Sequence, residues 1–207
     1  MTRGELIEKI SRQIHGGFAP TDSQITDALI NSYISDAIAA VTVKNYRESI
    51  EVDNIESIGD AFYSSFKGIP IAKDNDTGYF YSTLPSQPVS LPRGLGIANV
   101  TFSGLTGSTA SAVGIKPHEI DFLDIMPANP NKVLFWCEGT KIWMKSPFDL
   151  LGKTLRVRMV APYETDSTAI LTLPPEYVMD VINIVTANLL KEIQIPKDVS
   201  NDGINVK

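Results

Sequence analysis

The chain has 207 residues, 43% of them hydrophobic and 20% charged, proportions that suit a folded protein and exclude one disordered throughout. A formal net charge of −6 argues against a protein whose main task is gripping nucleic acid, while leaving room for a local basic patch. One cysteine, Cys137, excludes an internal disulfide and a thiolate metal cluster, and the only histidines are His15 and His118.

Met1-Thr2-Arg3-Gly4-Glu5 turns acidic and amphipathic at once, unlike a secretory signal. Thr2-x-x-Glu5 has the capping-box pattern, and Leu6, Ile7, Ile10 and Ile14 follow at helical spacing. His15-Gly16-Gly17 ends that first helix, because glycine tolerates the left-handed C-terminal position. Pro20-Thr21-Asp22-Ser23-Gln24 predicts the start of a second helix, with the same capping logic at Thr21 and Gln24. Its apolar stripe runs Ile25, Leu29, Ile30, Tyr33, Ile34, Ala37, Ile38 and Val41. A third, shorter helix is predicted over 55–66, stopped by Gly68 and Pro70.

From Ile69 the punctuation changes. Asp76-Thr77-Gly78 is a turn before an extended 79–84 segment, and Pro85, Pro88 and Pro92 confine the chain to edge-like conformations. Strands are predicted over 96–102 and 110–115 around a Gly/Ser/Thr loop at 103–108, and 117–126 as a short helix or turn. Residues 132–145 form the clearest hairpin. Leu155, Val157 and Met159 alternate with Arg156 and Arg158, the pattern of a half-buried strand, and 168–172 is a last short one.

Pro174-Pro175-Glu176 opens a closing helix, proline being favoured in a first turn. Its apolar residues, among them Tyr177, Val181, Val185 and Leu189, cover more than one face, which predicts packing on both earlier helices and on a neighbouring subunit. Asp180, Asn183 and Asn188 interrupt the stretch, so nothing spans a membrane, and a soluble protein made in a reducing cytoplasm is expected. Pro196 ends the helix, and a polar tail remains. The fold class is therefore α+β. Residues 1–68 and 173–195 make a helical frame, 69–172 an inserted antiparallel β sandwich or barrel-like module, and 196–207 a tail.

With Glu138-Gly139 as the hairpin turn, Cys137 pairs with Thr140, Phe135 with Ile142 and Val133 with Met144. One face then carries Val133, Phe135, Cys137, Ile142 and Met144; the other carries Lys132, Leu134, Trp136, Lys141, Trp143 and Lys145. Two tryptophans and a leucine framed by lysines are too apolar for a solvated face. Either a second sheet covers them or they dock a neighbouring subunit; a nucleic-acid stacking platform is opposed by the overall acidity. Cys137, His118 and Asp121 name the residue types of a thiol protease, but a thiol on a strand's apolar face is buried and inert. His118-x-x-Asp121 with Asp124 is too sparse for a metal site, and Gly94-Leu95-Gly96 lacks the strand-loop-helix context of a phosphate cradle. Arg156 and Arg158 face solvent, an ion pair or an anionic partner.

Three strings carry a resemblance: Pro20-Thr21-Asp22-Ser23-Gln24-Ile25-Thr26, Tyr81-Ser82-Thr83-Leu84-Pro85 before Leu91-Pro92-Arg93-Gly94-Leu95-Gly96-Ile97, and Leu173-Pro174-Pro175-Glu176-Tyr177. With the order of elements, they make the chain resemble the head-to-tail connector (ring or adaptor) proteins of tailed bacteriophages, most closely those of crAss-like phages. The resemblance implies a virion component: a ring, commonly twelve-fold, beneath the portal protein and against adjacent tail rings, around double-stranded DNA. It implies no cofactor and no active site. Candidate contact residues are Leu134, Trp136, Trp143, Lys141, Lys145, Tyr177, Val181, Val185, Ile195 and Lys197. The runner-up is a β-sandwich module on a helical stalk that binds glycan or protein; an enzyme is a third reading.

Overall fold

The computed structural model describes residues 1–17, 25–105, 111–122, 132–163, 166–168 and 170–194. Helix α1 (Arg3–His15) starts as expected, with the Thr2 hydroxyl accepting from the Glu5 N–H at 3.2 Å and the Glu5 carboxylate accepting from the Thr2 N–H at 2.9 Å. Gly16, at φ +65°, ends it. Helix α2 (Asp27–Asp53) is capped by Thr26, whose hydroxyl accepts from the Leu29 N–H. The expected cap at Thr21 and Gln24 lies outside the described residues, and the observed one comes later in the chain.

The helix predicted over 55–66 does not form. Asn54, left-handed at φ +53°, ends α2; a loop and a 3₁₀ turn (Asp60–Phe62) follow, and strand β1 occupies Ser64–Pro70. Ile55, Ile58, Phe62 and Phe66 mimic helical spacing, but β1 pairs with a strand far away in sequence on both sides of an irregularity between Phe66 and Ile69, and that pairing overrides the local pattern. The strand-rich part thus begins ahead of residue 69. At the other end, a 3₁₀ turn (Pro175–Tyr177) leads into α3 (Val178–Gln194) as expected. Helix α3 packs on α1 and α2, burying Leu6, Ile10, Ile34, Val41, Val181, Val185 and Leu189 in one core with Ile58 and Phe62. Each such side chain contributes about 1.5–3 kcal/mol on leaving water.

The remaining strands are β2 (Ala72–Lys73), β3 (Phe80–Thr83), β4 (Ile97–Ser103), β5 (Ala112–Gly114), β6 (Val133–Glu138), β7 (Lys141–Lys145) and β8 (Thr154–Met159). They form two sheets, ordered β1-β8-β4 and β2-β3-β7-β6-β5, antiparallel except for the parallel β5–β6 pair. A second core fills the space between the sheets. Val100, Phe102, Leu155, Val157 and Met159 come from one sheet, and Phe80, Val133, Ile142 and Met144 from the other. Among the described residues this is an open sandwich, not a closed barrel. Among the described residues, the short strand expected over 168–172 reduces to a single bridge from Ile170 to Thr2.

The hairpin register differs from expectation. Cys137 pairs with Ile142, Phe135 with Met144 and Glu138 with Lys141, which makes Gly139-Thr140 the turn. Gly139 takes the left-handed conformation there, at φ +60°. Each partner moves by two positions, so both faces keep their predicted membership.

Candidate functional site

Period-two alternation turns Val133, Ile142 and Met144 inward and sends Leu134, Trp136 and Trp143 to the outer face of the five-stranded sheet. Tyr81 sits opposite Trp143, which sits opposite Trp136. The rings form a continuous row. Tyr81 lies 5.4 Å from Trp143, Trp143 stacks on Trp136 at 6.4 Å and 14°, and Tyr79 meets Trp136 edge-on at 5.4 Å. Each such contact contributes about 0.5–1.5 kcal/mol beyond simple burial. The Lys141 ammonium lies 5.5 Å over the Tyr81 ring and 5.7 Å over Trp143, and Lys145 lies 6.0 Å over Tyr79.

This arrangement corrects the expectation that a second sheet covers the tryptophans. The second sheet covers the opposite face. The indoles are sheltered by one another, by two tyrosines and by lysine stems. Trp136 is only 6% exposed and donates its indole N–H to Glu138 Oε1 at 3.1 Å. Trp143 is half-buried, and its indole nitrogen has no acceptor among the described residues. Leu134 is also half-buried, beside exposed Val113 on strand β5. A glycan site needs open ring faces in a concavity, which this self-covered row does not offer.

No family model matches the chain, and no curated protein matches it either.

The closing-helix candidates divide. Tyr177 clamps α3 to α2: its hydroxyl donates to Glu48 Oε2 at 2.7 Å and accepts from Asn45 Nδ2 at 3.1 Å, with Phe62 against the ring. Burial, more than these partners, raises the phenol's pKa. Nearby, Lys44 donates to Asp180 at 2.7 Å, and that bond holds the ammonium pKa above its ordinary value. Val181 and Val185 are wholly buried in the bundle of their own chain, so they have no surface to give a neighbour. Their apolar spacing served the internal core. Ile195 and Lys197 lie outside the described residues.

The chemical candidates resolve differently. Burial, then the charge of Glu138, pushes the Cys137 thiol up to about 11, so it stays protonated and a poor nucleophile at neutral pH. The side chains of His118 and Asp121, and all of Asp124, lie outside the described residues. Among the described residues no group of His, Cys, Asp and Glu is placed to hold a metal, and no helix is long and apolar enough to cross a membrane. In Gly94-Leu95-Gly96, a Cβ on Gly96 would stand 1.9 Å from the Val89 carbonyl oxygen, so close chain approach fixes that glycine. Arg158 pairs with Asp60 at 3.2 Å and lies over the Tyr63 ring, while Arg156 is exposed. A cleft of about 150 Å³ lined by Arg3, Phe62, Phe66, Pro162 and Leu171 is smaller than the roughly 300 Å³ a drug-sized ligand needs.

Three features escaped the sequence reading. Tyr79 and Tyr81 belong to the aromatic row, and their alternation around Phe80 is the signal that marks them. Val52 and Ile55 stand exposed at the end of α2, at 80% and 57%. Arg3 is 1% exposed, and nothing in the sequence announces a buried guanidinium.

Proposed function

We propose that this chain is a structural, non-enzymatic subunit of a head-to-tail connector ring in a tailed bacteriophage, most like those of crAss-like phages. It joins the portal protein to downstream tail rings around the DNA channel, in about twelve copies, and resides in the virion. The observation that carries this reading is apolar area left on the surface in separate places. The half-buried Trp143 and Leu134 lie on the sheet, Val52 and Ile55 at the end of α2, and Met179 and Leu190 along α3. Scattered single residues of this kind are ordinary, but here they accompany an aromatic sheet face elsewhere on the chain, and aromatics dominate contacts between subunits. Contacts that are not self-complementary close into a ring when the rotation between copies closes. Between neighbouring copies, α2 and α3 then meet through outward positions such as Met179 and Leu190, since Val181 and Val185 are engaged internally. A net charge of −6 suits a wall past which DNA slides without sticking.

Mass measurement of the purified chain, alone and with a portal ring, tests the reading. A closed multimer in either condition supports it. A strict monomer in both overturns it.

A further inference from the structure

The charge of this chain is segregated. Within 1–68 and 173–195 there are seven basic and thirteen acidic residues, whereas 69–172 has nine of each, so the entire net charge of −6 belongs to the helical frame. Part of that excess is concentrated where α2 ends. Glu51, Asp53 and Glu56 there flank Val52 and Ile55, the two aliphatic side chains exposed at 80% and 57%. The turn is closed by two backbone hydrogen bonds: left-handed Asn54 donates its N–H to Ile50 O at 3.1 Å, and Ile55 donates to Ser49 O at 3.3 Å. It is a preformed acidic knuckle with an apolar tip. On the β module, the aromatic row presents the half-buried Tyr79, Tyr81 and Trp143 with Lys141 and Lys145 set over them, Glu138 being engaged by the buried Trp136.

We propose that the 51–56 turn of one copy docks on the lysine-bearing aromatic sheet face of the next copy, head to tail. Val52 and Ile55 cover the half-buried Tyr81 and Trp143, and the acids meet the lysines. The two patches lie on different parts of the chain, so the contact is heterologous and propagates until it closes. Both partners are preformed, so docking orders little backbone. Opposite charge fixes the register and disfavours knuckle-to-knuckle encounters. This deepens the connector reading by naming the contact between copies, and it rests on that reading.

The test is light-scattering mass over a concentration series for three proteins: the native chain, the Lys141→Glu/Lys145→Glu variant and the Glu51→Lys/Asp53→Lys variant. Circular dichroism melts verify that each variant is folded. The expected result is that each double variant alone self-associates about tenfold or more weakly than the native chain. A one-to-one mixture of the two variants regains assembly, because every knuckle then finds a face of opposite sign on the other variant. If the native chain assembles and both folded variants assemble equally well, the contact is refuted and the connector reading survives. If the native chain is monomeric at every concentration, with and without a portal ring, both fall. The knuckle variant alters only exposed positions, so it remains decisive should the sheet variant fail to fold.

Discussion

Replacing Arg3 by alanine is the most informative single perturbation of the fold. The guanidinium donates to Asn31 Oδ1, to Asn31 O at 3.1 Å, to Ser35 Oγ and to Pro162 O at 3.0 Å. It therefore bolts α1 to α2 and both to the chain leaving β8. A hydrogen bond with one charged partner contributes about 1.5–3 kcal/mol, but bonds sharing one donor group do not add in full. Alanine also takes the guanidinium donor from the Pro162 carbonyl and leaves a void where the side chain lay, while Asn31 O keeps the Ser35 hydroxyl as a donor. The combined loss comes to about 3–5 kcal/mol, set against a total stability of about 5–15 kcal/mol for a typical domain. Urea titration followed by circular dichroism measures it through the midpoint at unchanged slope. Arg3→Lys keeps the charge and stem but lacks the planar fork, so it recovers only part of the loss. A loss below about 1 kcal/mol for Arg3→Ala would refute the assignment of Arg3 as the bolt.

Thr186, buried on α3, has a hydroxyl without a hydrogen-bond partner among the described residues, so Thr186→Val should stabilise the protein by about 1 kcal/mol; a lower melting temperature contradicts this. Asp74 accepts from the Thr77 hydroxyl at 2.6 Å and the Thr77 N–H at 3.0 Å, which lowers its pKa below the ordinary 3.8. A depressed folded value means that its stabilisation is present above the ordinary carboxylate pKa and lost as pH falls through the folded one. Asp74→Asn should thus melt with a shallower acid dependence between pH 7 and about pH 3, and an unchanged slope counts against the reading. Cys137 should react with maleimide far more slowly in the folded protein at neutral pH than in urea; equal rates contradict its shielded, protonated state. Trp136→Ala should cost about 3–5 kcal/mol of folding stability, while Trp143→Ala should cost less and weaken self-association more, measured by melts and by mass.

What was legible in the sequence was local. The Thr2/Glu5 capping box, the Gly16 stop, the Pro175 start and the hairpin faces follow from hydrogen-bonding groups and periodicities within a few residues of each other. What was illegible was settled at long range. Residues 64–70 are strand because Val157 lies opposite Phe66 and Leu155 opposite Ile69, partners nearly ninety residues on. Likewise, the apolar excess of α3 went to α1 and α2 of its own chain, which composition cannot distinguish from a face awaiting a second subunit. The tryptophans were placed on the correct face, yet their shelter comes from Tyr79 and Tyr81, whose roles depend on β3 pairing with β7.

The helical bundle draws its members from both ends of the polypeptide, and this sets the order in which the molecule matures. The Lys44–Asp180 bond alone closes a loop of 136 residues. During synthesis α1 and α2 emerge first, with Ile34 and Val41 uncovered until α3 leaves the ribosome. The β6–β7 hairpin needs only near neighbours and condenses early, so the bundle is sealed last. Until α3 is made, nascent α2 therefore lacks a large part of the apolar cover it has in the finished bundle.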